Sequence, residues 1–149
     1  MYCLALDVGE RRTGVAVGEV LARPLTTLNR RSKEQDFAAI GHLVREHGAD
    51  TLVVGLPLNM DGSRGFQAQK VERYARLLKD ALLETGLDVK LVMWDERLTT
   101  EQADQAMSDV GYSAQRRRGR VDAIAAAVIL QGYLDASAGG AAGSVGVES

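Results

Sequence analysis

Four acidic residues stand where solvation alone does not explain them. Asp7 closes the apolar run "CLALD", Asp95 and Glu96 follow "VKLVMW", and Asp122 opens "VDAIAAAVIL" just past a basic stretch. A carboxylate at the end of a buried strand is costly unless its charge is compensated. Each position also has an ordinary explanation: a turn Asp, a solvated acid after a strand, an acid favoured by the helix dipole. Together they form a pattern, because two strand ends and one helix start can converge on a few ångströms of space. Carboxylates that close raise one another's pKa unless a cation neutralises them. Hard oxygen donors suit Mg²⁺ or Mn²⁺. Two such ions about 3.5–4 Å apart can activate a water and stabilise the leaving oxygen in phosphodiester cleavage. Spacing alone leaves open which of Asp95 and Glu96 belongs to the set.

The elements that must position these acids are legible in the apolar pattern. Residues 2–8 and 13–19 read as strands joined by the tight turn "GERR", framed by Gly9 and Gly14, which implies an antiparallel hairpin. A third strand is predicted over 25–29. "KEQDFAAIGHLVREHG" spaces Phe37, Ile40, Val44 and His47 as a helix and stops at Gly48. "TLVVG", 51–55, has the apolar run of a buried parallel strand, and "LPLNMDGSRG" then reads as a loop. A helix over 66–85 carries Val71, Ala75, Leu78 and Leu82 on one face and ends at Gly86; "VKLVMW", 89–94, is the next strand.

"TTEQADQAM" starts a helix, with Thr99 and Gln102 spaced as a capping box. A final amphipathic helix runs from Val121 through Ile124, Ala125, Val128 and Ile129 to about residue 135. The small Ala125 and Ala126 share the Asp122 face and would let that helix lie close to the sheet. This order predicts an α/β fold: a five-stranded mixed sheet, three antiparallel strands then two parallel, flanked by helices. Residues 1–136 form the predicted domain, and the Gly/Ala/Ser-rich 137–149 are expected to be a flexible tail.

Bulk properties are those of an ordinary soluble globular chain: 149 residues, 46% hydrophobic, 26% charged. No secretory signal is apparent, and no apolar run reads as long enough to span a bilayer. Cys3, the single cysteine, sits inside the first apolar run, so an internal disulfide is excluded and a cytoplasmic location is expected. The net charge of −2 does not mark a general nucleic-acid binder. Arginine nevertheless dominates the 18 basic residues, and "RRRGR" concentrates Arg116, Arg117, Arg118 and Arg120, a grouping suited to gripping phosphate. Other chemistry is weak. His42 and His47 do not share a helix face, no P-loop is present although "GERRTG" has a similar glycine spacing, and a buried thiol is a poor nucleophile.

"LDVGERRTGVAV", "VVGLPLNMDGSRG", "DERLTT" and "VDAIAAAVILQGYL" resemble, in order and spacing, the four motif blocks of the YqgF/RuvX family. Its members are described as Holliday junction resolvases or as nucleases processing the 5′ end of pre-16S ribosomal RNA. The resemblance implies a ribonuclease H-like fold and a divalent-metal-dependent endonuclease. Its acidic triad carries over as Asp7, Glu96 and Asp122, catalytic and metal-ligating, with Mg²⁺ or Mn²⁺ as cofactor, as two ions. The partner is then nucleic acid, a structured RNA precursor or branched DNA, with no membrane partner. A homodimer is required if two strands of a junction are cut symmetrically.

Within that resemblance, Arg12, Asn59, Arg64, Arg97, Arg116, Arg117, Arg118 and Arg120 are the expected nucleic-acid contacts, with Arg97 equally suited to a structural ion pair. Gly55 and Gly62 would let backbone approach the substrate. Two other classes compete. A non-catalytic nucleic-acid-binding or regulatory protein would bind without metal and cleave nothing. An actin-like ATP-binding module, suggested by the Gly spacing after Asp7, needs two domains around the nucleotide and would show saturable ATP binding.

Overall fold

Strand β1 (Cys3–Val8) alternates its side chains between two helix layers, and this alternation organises the molecule. Leu4, Leu6 and Val8 enter a core shared with α1 (Lys33–His47) and α2 (Phe66–Glu84), whereas Cys3 and Ala5 enter a second core beneath α3 (Val121–Ala138). The computed structural model describes residues 1–98, 121–138 and, for the backbone alone, 144–148.

The remaining strands are β2 (Arg12–Gly18), β3 (Ala22–Asn29), β4 (Thr51–Leu56), β5 (Lys90–Asp95) and β6 (Ser144–Glu148). Their order across the sheet is β3-β2-β1-β4-β5-β6. The first three pair antiparallel, and β4 and β5 continue in parallel with β1. These five reproduce the expected mixed sheet of an α/β fold, and β6 adds a sixth strand at the β5 edge. Strand β3 begins earlier than predicted. Pro24 lies within it opposite Ala16, where the register shifts, and an edge strand tolerates a residue with no N–H to donate. Helix α1 starts at a capping box, with Ser32 and Gln35 each serving the other's backbone, and stops at Gly48 in the left-handed region.

Three expectations need correction. The stretch 137–149 is not simply a tail: α3 continues to Ala138, and Ser144–Glu148 pairs antiparallel with the outer edge of β5. Alternating "SVGVE" can pair with an open edge despite the glycine-rich sequence before it. Helix α3 is not amphipathic in the usual sense. It is apolar round most of its circumference, with Ile124, Val128, Ile129, Leu130, Tyr133 and Leu134 all buried. It is also long and apolar enough, at 18 residues and mean hydropathy 1.3, to meet the composition of a membrane span. Burial against the sheet identifies it as a core helix instead. The helix expected from Thr99 lies outside the described residues.

Candidate active site

The parity of the strands decides which acids meet. On β1, Asp7 follows Cys3 and Ala5 onto the α3 face, and it stands directly opposite Gly14 of β2. On β5, Val92 and Trp94 face α3, and Leu91 and Met93 face α2. Asp95 falls on the α2 side of that alternation. Glu96, the first residue of a single 3₁₀ turn (Glu96–Leu98), returns to the α3 side.

The side chains behave accordingly. Asp95 is buried and faces Arg97, which donates from Nε at 3.1 and 3.2 Å and from Nη2 at 2.7 Å, while its backbone N–H donates to the same carboxylate at 2.9 Å. Burial opposes ionisation here, but the hydrogen bonds and charge of Arg97 outweigh it and hold Asp95 below the usual carboxylate range. Among the described residues, Glu96 has no such partner. Burial, then repulsion from Asp7 and Asp95, pushes its carboxyl up to about 7. Asp7 is likewise pushed up, first by burial and then by Asp122. Asp7 thus couples to both other acids and sits electrostatically between them.

Two glycines make this convergence possible. A Cβ on Gly14 would overlap the backbone carbonyl of Asp122, so only glycine lets the first turn of α3 rest on β2 beside Asp7. A Cβ on Gly55 would lie 2.6 Å from Glu96 Oε1 and 2.7 Å from Ile129 Cδ1. Gly55 therefore makes room for the Glu96 carboxylate and the Ile129 side chain. Ala126 is buried and Ala125 half-buried in the α3 packing, as the sequence predicts, but Gly14 is the closer approach. The signal available in sequence was its position opposite Asp7 across the hairpin.

Arg12 reaches across to α3, donating from Nε to Asp122 Oδ2 at 2.9 Å. Asn59 builds the loop after β4: its N–H donates to the Ser63 carbonyl, its carbonyl accepts from Gly62, and Nδ2 donates to Ser63 Oγ at 2.9 Å. Arg64 pairs with Glu72 at 3.5 Å. Arg97 Nη1 donates to the Met60 carbonyl at 3.1 Å, and its guanidinium packs on Gly62, so it ties this loop to the end of β5. Arg116, Arg117, Arg118 and Arg120 lie outside the described residues. Arg30, to which no motif in the sequence points, donates to the Gly9 carbonyl at 2.6 Å and secures the hairpin turn behind Asp7.

Among the described residues, no three His, Cys, Asp or Glu side chains are grouped tightly enough to cage a metal by themselves. Asp7, Glu96 and Asp122 present carboxylate oxygens toward one another's side of the sheet, and no side chain among the described residues donates to Asp7 or Glu96. Among the described residues, Asp7 and Glu96 are left without a cation and Asp122 is held only by the exposed Arg12; oxygen donors of this kind would suit a hard divalent cation.

Comparison with known proteins bears on the family and the fold. A Syntrophus aciditrophicus protein named "Putative pre-16S rRNA nuclease" is 44% identical over 139 residues, covering 91% of this chain and 89% of its own. An Anaeromyxobacter protein of the same name is 48% identical over 139 residues, covering 91% and 97%. Among solved structures, Thermus thermophilus RuvC in complex with Holliday junction substrate superposes with a TM-score of 0.65 at 16% identity, covering 97% of this chain and 99% of that one. RuvC without substrate gives 0.61 at 17% identity, covering 97% and 100%. The shared architecture is ribonuclease H-like. The sequence model of RuvX, described as "Holliday junction resolvase", matches residues 1–136, and the chain belongs to the RuvX family.

Proposed function

We propose that this chain is a divalent-metal-dependent endonuclease that uses Asp7, Glu96 and Asp122 to hydrolyse a phosphodiester bond, with pre-16S ribosomal RNA as its substrate. The observation that carries this reading is the pair of raised carboxyls at Asp7 and Glu96, held there by burial and mutual repulsion. Structural acids are compensated, as Asp95 is; perturbed and uncompensated acids in a cluster are the mark of a working site. Mg²⁺ or Mn²⁺, when bound, would neutralise this repulsion and polarise the scissile phosphate. Asp7, coupled to both partners, is the central ligand. Arg12, already beside Asp122, supplies the nearest cation to the incoming phosphate.

The RNA substrate is favoured by the names of relatives at 44% and 48% identity. The description of the family favours a second reading, resolution of four-way DNA junctions, which requires a homodimer with two sites. Either substrate places the protein in the cytoplasm. Cleavage of a precursor RNA and of a four-way junction, each with Mg²⁺ and with Mn²⁺, separates the two. Asp7→Asn is expected to abolish cleavage, by on the order of 10³-fold or more for loss of several kcal/mol of transition-state stabilisation. Circular dichroism should show the variant folded. Retained activity in this variant would overturn the assignment.

A further inference from the structure

On the opposite face of the sheet from the acids lies a cleft of about 450 Å³ bounded by the β1–β2 turn, the start of α1 and the first half of α2. We propose that this cleft binds the backbone of a single nucleic-acid strand, with Lys33, Lys70 and Arg73 on its phosphates and Phe66 stacking a base at its rim. The inference rests on the nucleic-acid reading of the site and extends it to a surface that none of the expected contacts occupies.

Position is the first argument. Val8 and Gly9 line the cleft and follow Asp7 directly, so cleft and acids share one end of the sheet, divided only by the pleat of β1. A strand crossing that end reaches both.

Charge is the second. The lining includes Arg30, Lys33, Lys70 and Arg73 against one acid, Glu10. The Arg30 charge is answered by buried Asp36 at 3.4 Å, and its guanidinium lies over the Tyr74 ring at 4.7 Å, so it belongs to the wall. Lys33 and Arg73 enter no ion pair among the described residues. In a chain of net charge −2, such a cluster is not a by-product of overall composition. Cations of this kind, spread along a groove, suit a polyanion rather than one small anion.

Phe66 is the third. It opens α2 with 76% of its surface exposed, and Lys70 Nζ lies 5.3 Å from its ring centroid. An exposed ring with an adjacent ammonium offers a stacking platform beside a phosphate-binding cation, the pairing by which single strands are held without sequence readout. A duplex, with its bases already stacked, would not use that ring.

The test measures binding, in chelator, of a fluorescein-labelled single-stranded oligouridylate to the full chain by anisotropy across a salt series. The variant Lys33→Gln/Lys70→Gln/Arg73→Gln is expected to bind about tenfold or more weakly at low salt. Its log–log salt slope should be shallower by about 2, since each phosphate that the protein no longer neutralises removes about 0.7. Phe66→Ala is expected to weaken binding about fivefold or more while leaving the slope unchanged, since stacking is not ionic. A charge-matched control, Arg23→Gln/Arg45→Gln/Arg76→Gln, removes the same charge away from the cleft and should change both readings much less. Wild-type affinity and slope in the cleft variant, or an equal weakening in the control, would overturn the proposal. Because the readout needs neither metal nor cleavage, an inactive wild type would sink the nuclease reading and leave this result standing.

Discussion

Asp95 and Glu96 are neighbours in sequence and opposites in circumstance. One points toward α2, is buried against Arg97 and is held below its usual pKa; the other turns toward α3, has no cation beside it among the described residues and is pushed up to about 7. A single step along the pleat separates a charge that the fold has balanced from one it has left unbalanced. The balanced acid anchors structure, fastening the loop after β4 through Arg97 and the Met60 carbonyl. The unbalanced one keeps its charge available to a ligand. What distinguishes the two acids is therefore not acidity but compensation among the described residues.

Glu96→Gln sharpens the contrast most. Cleavage is expected to fall by on the order of 10²–10³-fold, because a cation ligand is removed with little change in shape. Stability should move the other way. The ordinary value for Glu96 is 4.5 and its folded value about 7, so the folded state binds the proton more tightly than the unfolded one. Wild type is thus penalised as pH rises from 4.5 through 7, and the penalty is complete above it. In chelator at pH 8 the variant should be more stable by about 1–2 kcal/mol, discounted for partial solvent screening. At pH 4 that gain should vanish. Urea denaturation at the two pH values measures it, and added Mg²⁺ should stabilise wild type at pH 8 far more than the variant.

Asp95→Asn breaks the balanced member. Removing the buried carboxylate leaves the exposed Arg97 without its partner and loosens its tie to the Met60 carbonyl, so the variant should be measurably less stable than wild type. Chemical denaturation reads the destabilisation. Turnover per folded molecule should fall less than in Glu96→Gln, and the ordering of those two activities is the comparison's most direct check. Equal loss of activity in both would mean that the two acids serve the site alike.

How much of this was legible beforehand follows from the same pleat. Asp7, the Asp95–Glu96 pair and Asp122 stood out because a strand end or a helix start exposes an acid at a definable place. The alternation Val92, Trp94, Glu96 already carried the answer to which neighbour shares the face of Cys3, Ala5 and Asp7. Reading it required knowing that the strands lie in one sheet. Gly14 and Gly55 were less legible because their role is to be thin where another element crosses, a property of packing that local sequence does not encode. Arg97 was ambiguous for a related reason: its partner is two residues away, and only the turn after β5 brings the guanidinium back. The cleft beside α2 escaped notice because its cations come from separate elements, Lys33 from α1 and Lys70 and Arg73 from α2, with no run like "RRRGR" to announce them.

Arg12 tests the comparison at its finest. It gives Asp122 a partner of the sort that Arg97 gives Asp95, at a similar distance, 2.9 against 2.7 Å, yet its side chain is 59% exposed where that of Arg97 is 36%. Water screens the outer pair, so Arg12→Gln should change stability by less than about 1 kcal/mol. The consequence for function is a split. With its competing cation gone, Asp122 should bind a divalent ion somewhat more readily, lowering the Mn²⁺ concentration at half-maximal activity. The substrate phosphate is deprived of its nearest cation at the same time, and KM for nucleic acid should rise. A balanced structural pair would show neither effect, only destabilisation. Opposite movements of metal dependence and KM would place Arg12 with the unbalanced acids, as a cation that the site lends to its own carboxylate until phosphate arrives.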